Sequence, residues 1–277
     1  MPSLDMARGR ARLSYDHISV LGALLARRPI PSGQRAALTQ LADSGLLGPH
    51  GDPVPTLEPI MRVLADATVI LDVQTIGIGG IVGHGAWATA TEAVAADGWP
   101  GERECEYIPM ELSVLPWAIA RTTGLHRPGV DRPRPVPPRL QVPARLFDGA
   151  ISAVADLPPA WARRVPAEAV ADAVGGVLAR AGPLPEAGRG PLTRILLGVR
   201  VFWRVVATEA APEGSRVAGS LAVLDAGPAG SWRHEQPAAG AGGEVLLTRR
   251  SPDELWSELV ELLPAAAVPG RPPDDGP

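Results

Sequence analysis

The sequence predicts an α+β fold built from two similar halves. Two stretches, 66–124 and 194–264, follow one order: short β-type apolar runs joined by glycine-containing turns, and then one amphipathic helix. A proline-rich segment at 126–145, whose composition favours extended backbone, separates them and is typical of a linker. The repeated order and the central break predict two pseudo-symmetric halves.

The second copy contains the clearest local signals. Apolar residues cluster or alternate over 195–207, and two further apolar runs follow, which predicts three or four strands. Ser251 is a good N-cap, Pro252 suits the first helical position, and Glu254 completes a capping box. A helix is therefore predicted to begin there and to end before Pro264.

The first copy has three strand-like runs and then a helix, with Ser113 as a possible cap and Gly124 as its end. Helical patterns precede the strands in both halves, within 13–65 and within 147–181.

These patterns predict one domain over 1–264. It divides into a first half at 11–125, the linker at 126–145 and a second half at 146–264. Residues 265–277 are rich in glycine and proline, and we expect them to be a disordered tail.

Composition disfavours several classes of function. The chain has 277 residues, of which 45% are hydrophobic, so it can bury a sizeable core. A formal net charge of −4 favours binding neither to nucleic acid nor to an anionic membrane. The N-terminus lacks an unbroken apolar signal segment, and the longer apolar runs contain charges, so we expect a cytoplasmic protein.

Residues with catalytic or metal-binding chemistry do not form recognisable motifs. The five histidines are scattered, no HExxH or GxSxG motif occurs, and Cys105 is the single cysteine. Asp72, Glu106 and Glu111 lie in or near strands and are interpreted as polar residues on solvated faces. We therefore expect no enzyme, no cofactor and no metal.

A glycine-rich segment at 77–85 suggests a phosphate loop, but the chain continues into β-type sequence instead of the helix that such loops require. The alternative interpretation is a flexible hairpin connection with Ile78 and either Ile81 or Val82 exposed at its tip. Exposed apolar side chains on a loop are typical of a surface that a partner covers, although an ordinary turn is the commoner case.

Several segments together resemble the EspG family, the cytoplasmic chaperones of ESX (type VII) secretion in actinobacteria. They extend over most of 13–264 and are LSYDHISVLGALLA, AALTQLADSGLL, LEPIMRVLADATVILDV, LAVLDAGPAGSWRHE and VLLTRRSPDELWSELVELL. An actinobacterial source would fit the basic residues, which are all arginine, because this bias is typical of a GC-rich genome. The resemblance implies two pseudo-symmetric halves around a central antiparallel sheet flanked by helical bundles.

The resemblance also implies binding rather than catalysis. Such a chaperone covers the apolar helical tip of a secretion substrate and keeps it soluble for export; here the partner would be a helical-hairpin substrate, which need not be a PE/PPE pair. In the family, a sheet loop of the first half and the helical bundle of the second half contact the substrate. The matching segments are 76–84 and 147–181, and the partner-binding residues would be Ile78, Ile81, Val82, His84, Val174 and Val177.

Two alternatives remain open at this point. Residues 12–65 give three helices followed by strand-like sequence, an order that resembles a winged-helix DNA-binding regulator, but the second helix has few base-reading side chains. The second alternative is a protein-interaction domain unrelated to secretion. The Pro/Arg-rich run at 132–139 is either a plain spacer or a ligand for an aromatic groove of another protein.

Overall fold

The computed structural model describes residues 1–125, 137–158, 167–180, 186–211, 214–235 and 243–264. Within these ranges the chain forms eight α-helices and one antiparallel sheet of eleven strands.

The strands are β1 Ser3–Asp5, β2 Arg10–Ser14, β3 Val69–Gly77, β4 Gly80–Ala88, β5 Glu92–Asp97, β6 Glu104–Glu111, β7 Arg139–Pro143, β8 Val201–Ala211, β9 Gly214–Asp225, β10 Ser231–Glu235 and β11 Glu244–Arg250. The helices are α1 Tyr15–Leu25, α2 Arg35–Asp43, α3 Glu58–Asp66, α4 Leu115–Thr123, α5 Ala144–Ala155, α6 Ala167–Arg180, α7 Glu186–Leu197 and α8 Pro252–Glu261. Short 3₁₀ turns occur at Ser32–Gln34, Pro55–Leu57, Leu112–Val114 and Gly227–Ala229.

The strand order shows the pseudo-symmetry directly. It runs β1-β2-β6-β5-β4-β3-β8-β9-β10-β11-β7, so that apart from β1 the second half repeats the first in mirror order. Apart from β1, each half consists of one strand, three α-helices, a four-stranded meander and a closing helix. The halves meet where β3 pairs antiparallel with β8, with Val73 opposite Val205. The predicted α+β fold of two pseudo-symmetric halves around a central antiparallel sheet is confirmed.

The predicted start of α8 is also confirmed. The Ser251 hydroxyl accepts from the Glu254 backbone N–H at 3.2 Å, and the Glu254 carboxylate accepts from the Ser251 N–H at 2.7 Å. Gly124 ends α4 with a φ of 75°, as predicted. The suggestion that Ser113 caps α4 is wrong, because a 3₁₀ turn precedes this helix and no side chain caps it.

Part of the expected linker belongs to the sheet. Arg139–Pro143 form β7, which pairs with β11 at the outer edge. An edge strand pairs along one side only, so the neighbouring prolines, which cannot donate a hydrogen bond, are tolerated there. The expected linker residues 126–136 and the expected tail 265–277 lie outside the described residues.

A second difference concerns α7, which begins within the glycine- and proline-rich stretch near residue 186 and includes Ile195, where we expected a strand. Leu192, Ile195 and Leu196 are buried at i, i+3 and i+4 spacing, which is the spacing of a helix face. A short apolar run cannot distinguish a strand from a buried helix by its periodicity. These three residues pack in one apolar cluster with residues of α5 and α6, and this packing makes the segment helical.

The helices divide between the two faces of the sheet. Val69, Leu71 and Val73 of β3 point to one face, where their apolar cluster includes residues of α4 and α8. Ile76 has the opposite parity, and on the other face it packs with α5–α7, the second bundle. Trp87 is paired with Ile70 and therefore lies on the same face as Ile76, where it packs with α1–α3, the first bundle. We call these the closing-helix face and the bundle face. The N-terminal helices that resembled a winged helix thus pack on the large sheet as one of its two bundles.

Candidate substrate-binding cleft

A cleft opens on the bundle face between the central strands and α5. Its volume is about 650 Å³. The residues that line it include Ile76 of β3, Arg204 and Val206 of β8, Ile151 of α5 and Val217 of β9. The cleft therefore combines the join between the halves with the helical bundle of the second half.

Three aromatic rings pack together in this cleft, which we call the aromatic cleft. Phe147 of α5 lies edge-on to Phe202 of β8 with ring centroids 5.4 Å apart. His234 of β10 lies 4.7 Å from the Phe147 ring and 5.4 Å from the Phe202 ring. Burial lowers the pKa of His234, and the nearby Asp148 carboxylate opposes this effect. The imidazole is therefore neutral at pH 7 and packs against the two phenylalanines as an uncharged ring.

The charged residues at the cleft differ in their pairing. Arg233 adjoins the cleft, but its side chain points to the closing-helix face, where it pairs with Glu235 at 3.1 Å and with Glu258 at 2.8 Å. Arg204 and Asp148 also line the cleft and are exposed, yet neither forms an ion pair or a hydrogen bond with any residue that the structure describes. One cation and one anion are therefore open to a partner.

The β3–β4 connection is a hairpin, as the second interpretation of the glycine-rich segment predicted, and its turn is short. The strands continue to the pair Gly77–Gly80, so that only Ile78 and Gly79 form the turn. Gly79 and Gly80 have φ values of 96° and 109°, a region that favours glycine. The Gly79 N–H donates to the Leu157 carbonyl at 3.0 Å, just after the end of α5. The hairpin tip is thus attached to the second bundle.

The six residues suggested for partner binding fall into different environments. Ile81 is 60% exposed and lies on the bundle face, directly opposite the cleft residue Ile76. Ile78 is half-buried and packs against the apolar cluster of the second bundle. Val82 and His84 have the opposite parity to Ile81, so their side chains point to the closing-helix face.

The two valines of α6 belong to the interior of the second bundle. Val174 is fully buried and offers no surface to a partner in this conformation. Val177 is half-buried and packs so closely on α5 that a methyl group added at Gly149 would lie 3.2 Å from its Cγ1. Of the six residues, only Ile81 is both largely exposed and beside the aromatic cleft.

His84 forms part of a polar network on the closing-helix face. The Gly98 N–H donates to His84 Nδ1 at 3.2 Å. Nε2 therefore carries the ring proton and donates to the Thr75 hydroxyl at 3.2 Å. Asp97 Oδ1 lies 3.8 Å from Nδ1, and this carboxylate accepts hydrogen bonds from Arg121 and Thr122 of α4. The network connects α4 to the sheet.

This network predicts a loss of stability in mild acid. Burial lowers the pKa of His84 below its ordinary value near 6.5, and Asp97 only partly opposes the shift. His84 therefore binds a proton less readily in the folded state than in the unfolded state. The free energy of unfolding is thus highest above about pH 6.5 and decreases as the pH falls below that value. In urea unfolding from pH 8 to pH 5, the wild type should lose stability more steeply than His84→Gln.

His234 shifts in the same direction but is present in both proteins, so its contribution cancels in that comparison. Parallel pH profiles of the wild type and His84→Gln would contradict the assignment of this pH dependence to His84.

The aromatic cleft itself was not predicted from the sequence. Its rings come from positions 147, 202 and 234, on three elements that only the fold brings together. A partial signal existed in β8, where strand alternation places Phe202, Arg204 and Val206 on one face.

Two further features of the described residues bear on function. They contain no group of three or more His, Cys, Asp or Glu side chains that could hold a metal ion. No helix among them is long and apolar enough to cross a bilayer.

Comparisons with known proteins show the fold. No protein-family model matches the sequence, and no curated protein sequence matches it significantly. Among solved structures, the chain is similar to the Mycobacterium tuberculosis type VII secretion system chaperone EspG5, solved in complex with a PE25–PPE41 dimer. The identity is 13%, the TM-score is 0.52, and the match covers 92% of this chain and 97% of the other. The chain thus has an EspG-like fold along almost its whole length.

Proposed function

We propose that this protein is a chaperone or adaptor of type VII secretion that binds the apolar helical tip of a substrate and keeps it soluble for export. The observation that carries the proposal is the aromatic cleft with the exposed Ile81 beside it, on a fold similar to that of EspG5. A chaperone of this kind meets its substrate before export, so we place its action in the cytoplasm.

The geometry of the cleft suits a helical tip. A volume of about 650 Å³ lies in the usual range for sites that enclose a ligand of a few side chains. An amphipathic helix end can place one or two apolar side chains against Phe202, Ile76 and Val206 while its flanks contact the rim. Ile81 then extends the apolar contact onto the first half of the sheet.

This proposal assigns no catalytic step to the chain. The aromatic cleft combines apolar walls with charges that are exposed or already paired, which suits recognition of a protein surface. Its one histidine, His234, is packed against two phenylalanines.

Replacement of Ile81 by aspartate is expected to weaken substrate capture by about tenfold or more, because a carboxylate would have to be buried in an apolar contact. The side chain is 60% exposed, so the melting temperature should stay near that of the wild type. The measurement is copurification of the tagged chain with type VII substrates of its host, followed by calorimetric titration of the captured partner.

Leu25→Asp is the matched control, since Leu25 is 51% exposed at the end of α1, away from the cleft. Equal loss of capture in both variants, or normal capture by Ile81→Asp, would contradict the proposed site. A wild-type chain that retains only DNA would contradict the proposed function. Ile78 is left unchanged because it packs on the second bundle, and a charged residue at this position would lower the stability of the fold as well as affect binding.

A further inference from the structure

We propose, on the basis of the proposed function, that the aromatic cleft selects the orientation of its ligand by charge. The preferred ligand is a helical tip whose inserted apolar side chain has an acidic residue on one side and a basic residue on the other. Arg204 would receive the acidic residue, and Asp148 would receive the basic one.

The first support is the availability of these two charges. Arg204 and Asp148 are exposed and form no ion pair within the part of the chain that the structure describes. The neighbouring cation Arg233 points to the closing-helix face, where Glu235 and Glu258 pair with it. Asp72 is two positions diagonal to Arg204 on the neighbouring strand and is exposed, but it does not form an ion pair with it.

The second support is the position of the two charges relative to the apolar rings. Arg204 lies on β8 two residues after Phe202, on the same face of the sheet. Asp148 directly follows Phe147 on α5, a helix that packs over this face. The cation thus belongs to the sheet wall and the anion to the helix wall of one cleft that has an aromatic interior.

Opposite charges on facing walls discriminate between the two orientations of a ligand. A segment with its own charges in the matching order gains both contacts, whereas the reversed segment places like charges together. Such juxtaposition at an interface is costly, while apolar burial is similar in both orientations. Charge would therefore determine orientation, and the aromatic rings would supply most of the affinity.

The experiment uses three synthetic helical hairpins as probes. They share one scaffold and a leucine at the tip, which is flanked by Glu before and Arg after, by Arg before and Glu after, or by Gln on both sides. The two charged probes have the same composition and net charge, so a difference between them cannot arise from overall electrostatic attraction. Fluorescence titration with the full-length chain gives each affinity, and NMR signals of the His234 imidazole report occupation of the cleft.

The wild type should bind one charged probe about tenfold more tightly than the other. The double variant Arg204→Glu/Asp148→Arg should reverse this preference, and Arg204→Gln/Asp148→Asn should remove it while keeping affinity for the Gln probe. Both side chains are exposed, and thermal unfolding of each variant verifies that the fold is retained.

Equal affinities of the wild type for the charged probes, a preference that persists in the exchanged variant, or no binding of any probe would overturn the inference. None of these results decides whether the chain captures a secretion substrate, which the Ile81→Asp experiment tests separately. Conversely, a charge preference without capture of such a substrate would support the inference and contradict the proposed function.

Discussion

Replacement of Trp203 by alanine is expected to lower the free energy of unfolding by about 3–5 kcal/mol. Trp203 is 2% exposed and lies on β8, opposite Thr75 at the join between the halves. Its indole belongs to the apolar cluster that α4 and α8 cover. Truncation removes a large buried ring and leaves a cavity that the paired strands cannot close, so the loss should be near the upper end for a single substitution.

Urea unfolding followed by circular dichroism measures the effect. Trp117→Ala is the control, since Trp117 is 61% exposed on α4 and its main ring contact is with Trp256 at 4.5 Å. That variant should lose only about 1 kcal/mol. Similar losses of unfolding free energy in the two variants would show that the side chains where β3 pairs with β8 do not form a packed core. If the chain is one domain as predicted, Trp203→Ala should shift a single transition that includes both halves.

Replacement of Gly98 by alanine is expected to destabilise the fold by about 1–3 kcal/mol or more. A Cβ atom at this position would meet the Gly83 carbonyl oxygen at a contact shorter than any real Cβ contact, and it would lie 3.2 Å from Val82 Cγ1. The obstacle is a backbone atom of a paired strand, so no side-chain rotation relieves it. The Gly98 N–H also donates to His84, and a shift of this segment would break that bond.

Gly83→Ala is a control from the other side of the same contact. A Cβ atom at Gly83 would meet no other atom within 4 Å. The free energy of unfolding of that variant should therefore lie within about 0.5 kcal/mol of the wild-type value. The measurement is again the free energy of unfolding in urea at pH 7.5. Equal stability of the two variants would show that β4 and the segment after β5 can separate at low cost.

The functional experiments can be interpreted only together with such stability data. Ile81 and Arg204 are exposed, so loss of binding in their variants can be assigned to the surface. Val174 is fully buried, and a substitution there would alter the packing between α5 and α6 as much as any contact with a partner. The residues useful for testing the cleft are therefore those that the structure leaves open.

Much of the fold could be predicted from the sequence because its signals are local. The capping box at Ser251 and the left-handed glycine at Gly124 depend on residues within one helical turn, and both have the predicted role. The repeated order of strands and closing helix likewise follows from apolar periodicity. The resemblance to the EspG family indicated the same architecture, and the similarity to EspG5 shows that fold.

The tertiary structure alone decided the features that depend on packing between distant residues. Ile195 lies in a helix because its neighbours pack on the second bundle, and Arg139–Pro143 form a strand because the outer edge of the sheet is open to them. Strand register places Ile81 on one face of the sheet and Val82 and His84 on the other. This separation could not be predicted while the segment was interpreted as a turn with an exposed tip.

The candidate site has the same origin. Phe147, Phe202 and His234 carry no local pattern that connects them, and they come together only when α5 packs on β8 and β10 in the folded second half. The sequence by itself determined which segments become helices and strands and in what order, because these choices depend on neighbours a few residues away. The fold determined which side chains are buried, paired or open to a partner, because burial and charge pairing depend on contacts between residues far apart in the chain.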